Sequence, residues 1–162
     1  MDLLDVKSRI AQALVESVFR RARYQVSRCR ADPLRPRIGH EDFSPDLRVC
    51  LKQEDGDTCE LLVEVKYRPH LDQFILVENE RGDRSVFLMA RRQWPQLYLV
   101  LVTDHPEPGR SCFQAISFGD YVPGERFRTV DLVNLKELRI FPQNVEDHEE
   151  LVHRIFGHLT GA

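Results

Sequence analysis

Three charged side chains stand where charge is out of place. Glu64 and Lys66 lie two apart inside the run Leu61-Leu62-Val63-Glu64-Val65-Lys66-Tyr67, and Asp46 follows Pro45 at the head of an earlier alternating run. Side chains alternate between faces along a strand, so Val63 and Val65 point one way while Leu62, Glu64 and Lys66 point the other. A carboxylate and an ammonium therefore sit side by side in a segment whose aliphatic and β-branched residues mark a buried strand. Burying charge there is costly unless it is paired or binds a metal. Oxygen ligands from Asp46 and Glu64, joined by the Val65 carbonyl, suit Mg²⁺ or Mn²⁺, which keep several waters and accept a phosphate oxygen. Such an ion acidifies a bound water and neutralises developing charge. Lys66, aimed at the same place, orients the attacking water or steadies the negative charge of the transition state. These are the requirements of phosphodiester hydrolysis.

The elements that must position the three groups can be read from pattern. Asp46 to Leu51 alternates charged or polar with apolar residues, a half-buried strand, and Pro45 fits a strand's first position. Glu54-Asp55-Gly56-Asp57 reads as a hairpin turn, which makes the strands of Asp46 and Glu64 antiparallel neighbours. Asp46 lies ten positions before Gly56 and Lys66 ten after it, so Asp46 is expected beside Lys66 or Glu64. Ahead of this unit, Ile10, Leu14, Val18 and Ala22 recur every four positions and predict a helix over residues 7–23, followed by a short strand from Tyr24 to Cys29. Pro33, Pro36 and Gly39 make Arg30 to Ser44 a long irregular loop.

Beyond Pro69 the pattern over 71–77 fits a helical turn or a strand equally. Asp83 is a plausible N-cap for a helix through Gln93, stopped by Pro95. Leu97 to Thr103 reads as a buried strand and Ser111 to Phe118 as another, joined by the turn-rich segment 104–110. Signals over 120–143 are weak, with strand then turn in 130–138. Val145 to Leu159 predicts a closing amphipathic helix.

Charge and composition restrict the partners. A net charge of -3 argues against coating nucleic acid by charge alone. Seven arginines against the single acid Asp32 nevertheless fall between Arg20 and Arg37, and Arg20, Arg23 and Arg28 are the candidate nucleic-acid contacts; a solvated surface is the plainer account. Glu16 sits among these cations on the polar face of the first helix with Arg9, Gln12, Arg20 and Arg23, either as an ion-pair partner of Arg20 four residues on or as a helper of the active site. Cys29, Cys50, Cys59 and Cys112 show no metal spacing and fit a reducing, cytoplasmic setting, and the six histidines read as surface residues. The charged stretch Met1 to Ile10 is not a signal peptide, and the longest aliphatic run, Leu97 to Val102, is too short to span a bilayer.

The order of helix with Glu16, strand, Pro45-Asp46, hairpin, Glu64-Val65-Lys66, helix and strand resembles the PD-(D/E)XK nuclease superfamily, and the helix-1 stretch Ala13-Leu14-Val15-Glu16 running into Tyr24-Gln25-Val26 is similar to Holliday-junction resolvases and Mrr-like nucleases. The resemblance covers roughly residues 7–103. It implies an α/β restriction-endonuclease-like core, α-β-β-β-α-β, with a mixed central sheet flanked by helices, in a single domain over 1–162 whose part from 104 onwards is a C-terminal extension adding a strand and a helix. It further implies that Asp46 and Glu64 bind the metal, that Lys66 is catalytic, that Glu16 assists, and that the substrate is nucleic acid, first of all DNA, with action as a homodimer open. The competing expectations are a non-catalytic module of the same fold serving nucleic-acid binding or protein assembly, and a plain surface ion pair between Glu64 and Lys66 worth ~0–1 kcal/mol on an unrelated α/β protein.

Overall fold

A computed structural model describes residues 2–29, 45–52, 56, 58–117 and 126–160. The loop expected over 30–44 and, Gly56 apart, the hairpin turn lie outside these. The chain runs α1 (Leu3–Arg21), β1 (Gln25–Arg28), β2 (Leu47–Lys52), β3 (Thr58–Tyr67), α2 (Leu71–Arg81), α3 (Val86–Gln93), β4 (Leu97–Val102), β5 (Phe113–Ile116), β6 (Thr129–Asp131) and α4 (Pro142–Thr160). The strands form one six-stranded mixed sheet in sequence order, β1 to β6. Only β3 and β4 run parallel, and α2 and α3 make the crossover between them; every other neighbouring pair is antiparallel. This is an α/β architecture.

Apolar side chains bury on both faces of the sheet. On one face Val49, Val63, Val65, Val100, Phe113 and Ala115 pack with Leu14, Val18 and Phe19 of α1 and with Val152 and Phe156 of α4. On the other, Leu62, Leu97, Leu99 and Leu101 pack with Leu71 of α2 and with Val86, Phe87 and Ala90 of α3. Central strands covered on both faces read as continuous apolar runs, as Leu97 to Val102 does. The segment after 104 adds β5 and β6 to the same sheet and lays α4 beside α1. No helix among the described residues is long and apolar enough to cross a membrane.

Local signals fix the helix ends. Asp2 and Asp5 form a capping box that starts α1 several residues earlier than its apolar stripe predicts. The start of α3 differs from expectation: Ser85, not Asp83, is the N-cap, its hydroxyl accepting from the Phe87 N–H at 3.2 Å. Glu78, buried at the end of α2, accepts from Ser85 Oγ and the Val86 N–H, each at 2.9 Å, and from Arg81 at 2.8 Å. A carboxylate from the preceding helix thus satisfies a donor that the first turn of α3 leaves unpaired. The ambiguous stretch after Pro69 is helical, and the strand expected near 130 is the three-residue β6.

Candidate functional site

The site is built where β2 and β3 separate. Leu47 pairs with Val63 at the end of the antiparallel ladder, and Asp46 departs from that register, its N–H also turning to the Val63 carbonyl. The β2–β3 pairing centres one position before Gly56. The Asp46 N–H donates to the Val63 carbonyl at 2.8 Å, and its carbonyl accepts from the Cys29 N–H at 2.9 Å, joining the ends of three strands. Its carboxylate has left the pleat: Oδ2 accepts the Val65 N–H at 2.8 Å and Oδ1 accepts Gln12 Nε2 of α1 at 3.3 Å.

Glu64 and Lys66 occupy the sheet face on which Leu62 packs towards α2 and α3, as alternation predicts. Lys66 Nζ lies 3.3 Å from Glu64 Oε1, and the two side chains are 16% and 3% exposed. A carboxylate this deep in an aliphatic strand requires a compensating charge, and Lys66 supplies one. Asp46 and Glu64 carry carboxylate oxygens, and Val65 a backbone carbonyl, of the kind a hard divalent cation takes. Among the described residues no group of three or more His, Cys, Asp or Glu side chains is arranged to hold a metal.

Glu16 is engaged elsewhere. Its carboxylate pairs with Arg20 at 3.0 Å and Arg28 at 3.2 Å. Burial raises its affinity for a proton, but the hydrogen bonds and charges of the two guanidinium groups outweigh that and hold it below the usual carboxylate range. The α1 residue that touches Asp46 is Gln12, one turn earlier. Its only sequence signal was a place on the polar face of the helix beside Glu16. Of the three candidate nucleic-acid arginines, Arg20 and Arg28 converge on Glu16, and Arg23 takes a left-handed conformation, φ 71°, just past the end of α1.

Other titratable clusters stand apart from this site. At the carboxyl ends of β3 and β4, Lys7 Nζ approaches Tyr67 Oη at 3.3 Å and Asp104 Oδ2 at 3.5 Å, and Tyr67 Oη donates to Asp104 Oδ1 at 2.7 Å. Burial and the Asp104 carboxylate push the Tyr67 hydroxyl up, while burial of Asp104 is outweighed by Tyr67 and Lys7, which hold its carboxyl low. This buried network ties α1 to the sheet. Cys112 Sγ lies 3.5 Å from His153 Nε2, and burial and Glu149 push the thiol up to about 12, which favours its protonated form at neutral pH. His148 is not a surface residue: it is buried between α4 and α1, with Nε2 2.8 Å from Ser17 Oγ. A cavity of about 260 Å³ lies between α2 and the segment joining β4 to β5, lined by Ile75, Thr103, His105, Arg110 and Gln114 among others; Asp46, Glu64 and Lys66 are not in its lining.

No family model, curated protein or solved structure matches the chain. The reading of the site rests on its geometry and chemistry.

Proposed function

We propose that this chain is a metal-dependent nuclease of the PD-(D/E)XK type, hydrolysing phosphodiester bonds in nucleic acid, first of all DNA, on a restriction-endonuclease-like core formed by α1 to β4. The observation that carries the proposal is the buried Glu64 carboxylate 3.3 Å from the Lys66 ammonium, with the Asp46 carboxylate fastened to the Val65 N–H between those two positions. A surface ion pair has no need of that burial. Asp46 and Glu64 would hold Mg²⁺ or Mn²⁺, which when bound supplies charge neutralisation at the phosphate and a water of lowered pKa. Lys66 Nζ, held by Glu64, presents N–H donors that orient the attacking water and offset negative charge developing on the phosphate oxygens. The Val65 N–H and Gln12 fix the Asp46 carboxylate, so that less reorganisation is left for the reaction itself.

A non-catalytic module of the same fold is favoured by one observation, the 3% exposure of the Glu64 side chain. The two readings part in one assay. Linear, supercoiled, branched and single-stranded DNA, together with RNA, are incubated with the protein in Mg²⁺ or Mn²⁺ and in chelator. The nuclease reading expects cutting of at least one substrate with metal and none with chelator; intact substrates throughout would sink it.

A further inference from the structure

We infer that Gln12 is the positioning residue of this site, the side chain that sets the orientation of the Asp46 carboxylate. Its importance for catalysis rests on the nuclease reading, but the hydrogen bond itself does not. Asp46 lies one residue before the regular ladder of β2, where the strand's own pairing no longer dictates where a side chain points. Two donors do so instead. The Val65 N–H comes from the backbone of β3 and holds Oδ2 at 2.8 Å; Gln12 Nε2 comes from α1 and holds Oδ1 at 3.3 Å. One donor alone leaves the carboxylate free to turn about the line of that bond, whereas two donors on two oxygens from different elements fix its plane. The backbone donor is present whatever the sequence; the side chain at position 12 is what supplies the donor from α1.

The chemistry of an amide suits this position. Gln12 contributes N–H groups and no charge, so it holds the Asp46 carboxylate without setting a second negative charge beside it. A glutamate of the same length would bring a second negative charge against Asp46, and one carboxyl would have to turn away or take a proton. Glu16, the carboxylate one turn further along α1, is neutralised by Arg20 and Arg28.

The test uses the whole chain in four forms: wild type, Gln12→Ala, Gln12→Glu and, as a control on the same helix, Arg9→Ala. Exchange of the Val65 amide is followed by NMR without metal and referenced to the Leu99 amide in β4. Both Gln12 variants are expected to quicken Val65 exchange by about tenfold, the loss of one modest hydrogen bond's worth of order, while Arg9→Ala leaves it unchanged. Gln12→Glu keeps the side-chain length and the helix but replaces the donor by a charge, whereas Gln12→Ala removes the donor without adding one, so the same result from both excludes a packing effect and a charge effect alone. Calorimetric titration with Mn²⁺ is expected to show about 10- to 100-fold weaker uptake by both variants, as for loss of a residue that orients a metal ligand. Val65 exchange equal to wild type in both variants would overturn the inference. Quickened exchange in a protein that takes up no Mn²⁺ would leave Gln12 as the orienting residue and overturn the metal reading of the site.

Discussion

Replacing Lys66 by methionine separates a buried functional pair from a decorative one. The exchange keeps the chain length and removes the ammonium 3.3 Å from Glu64, whose side chain is 3% exposed. Removing one partner of a fully buried pair costs about 3–5 kcal/mol, because the remaining charge has lost its compensation. Lys66 is itself 16% exposed, so some of its contribution is screened by solvent and the lower end applies. The expected loss is about 3 kcal/mol, which for a chain of this size lowers Tm by roughly 6–12 °C. Urea unfolding at pH 7.5 measures it as a lower midpoint with an unchanged slope. The companion variant Glu64→Gln/Lys66→Met removes both charges and is expected within about 1 kcal/mol of wild type, since replacing a whole buried pair is often neutral. That double variant should also be inactive, so the pair would be kept for chemistry and not for stability. A cost under about 1 kcal/mol for Lys66→Met would mark a solvated surface pair, and a double variant as unstable as the single one would show that the loss does not come from an orphaned carboxylate.

Three further outcomes follow from the same structure. Burial, then the charge of Arg21, lowers the pKa of His148 below its ordinary 6.5, with Asp147 opposing; the unfolded chain therefore binds the extra proton first, and this contribution to stability is complete above pH 6.5 and lost as pH falls through the folded pKa. His148→Gln should flatten the dependence of Tm on pH between 7 and 5, and an unchanged slope would contradict the assignment. Glu78→Ala leaves the Ser85 hydroxyl and the Val86 N–H without their acceptor, and a destabilisation of about 2 kcal/mol by chemical unfolding is expected; a change below 0.5 kcal/mol, taken as roughly a surface effect, would deny the cap. Joint replacement of Arg20, Arg23 and Arg28 should weaken DNA binding and reduce its salt slope by up to about 3 if each contacts a phosphate, whereas an unchanged slope would leave them as neutralisers of Glu16 and solvated surface.

The elements legible in the sequence are those whose packing is local and regular. The four-residue recurrence from Ile10 to Ala22 marked α1, and the apolar runs marked β3 and β4, because central strands covered on both faces hide little polar character. The segment after Pro69 stayed ambiguous for a physical reason: Leu71 is buried in α2, but Leu76 and Val77 are half-exposed and blur its apolar stripe. Asp83 and Ser85 are both ordinary capping residues before α3, and the support for Ser85 comes from Glu78 one helix back, which neighbouring residues do not show. For the site, alternation along β3 foretold the Glu64–Lys66 neighbourhood, and the hairpin count put the centre of the β2–β3 pairing one residue from where it lies. Gln12 and His148 were illegible as special positions, since each acquires its partner, Asp46 or Ser17, only when α1 docks on the sheet and α4 docks on α1.

The central claim meets its most direct test in the initial rate of DNA cleavage in Mn²⁺ by wild type, Asp46→Ala and Lys66→Ala, with folding of each protein checked by circular dichroism. The account predicts metal-dependent cutting by wild type and a fall of about 100-fold or more in both variants, the scale of losing a group that stabilises the transition state. Equal cutting by wild type and either variant would contradict it.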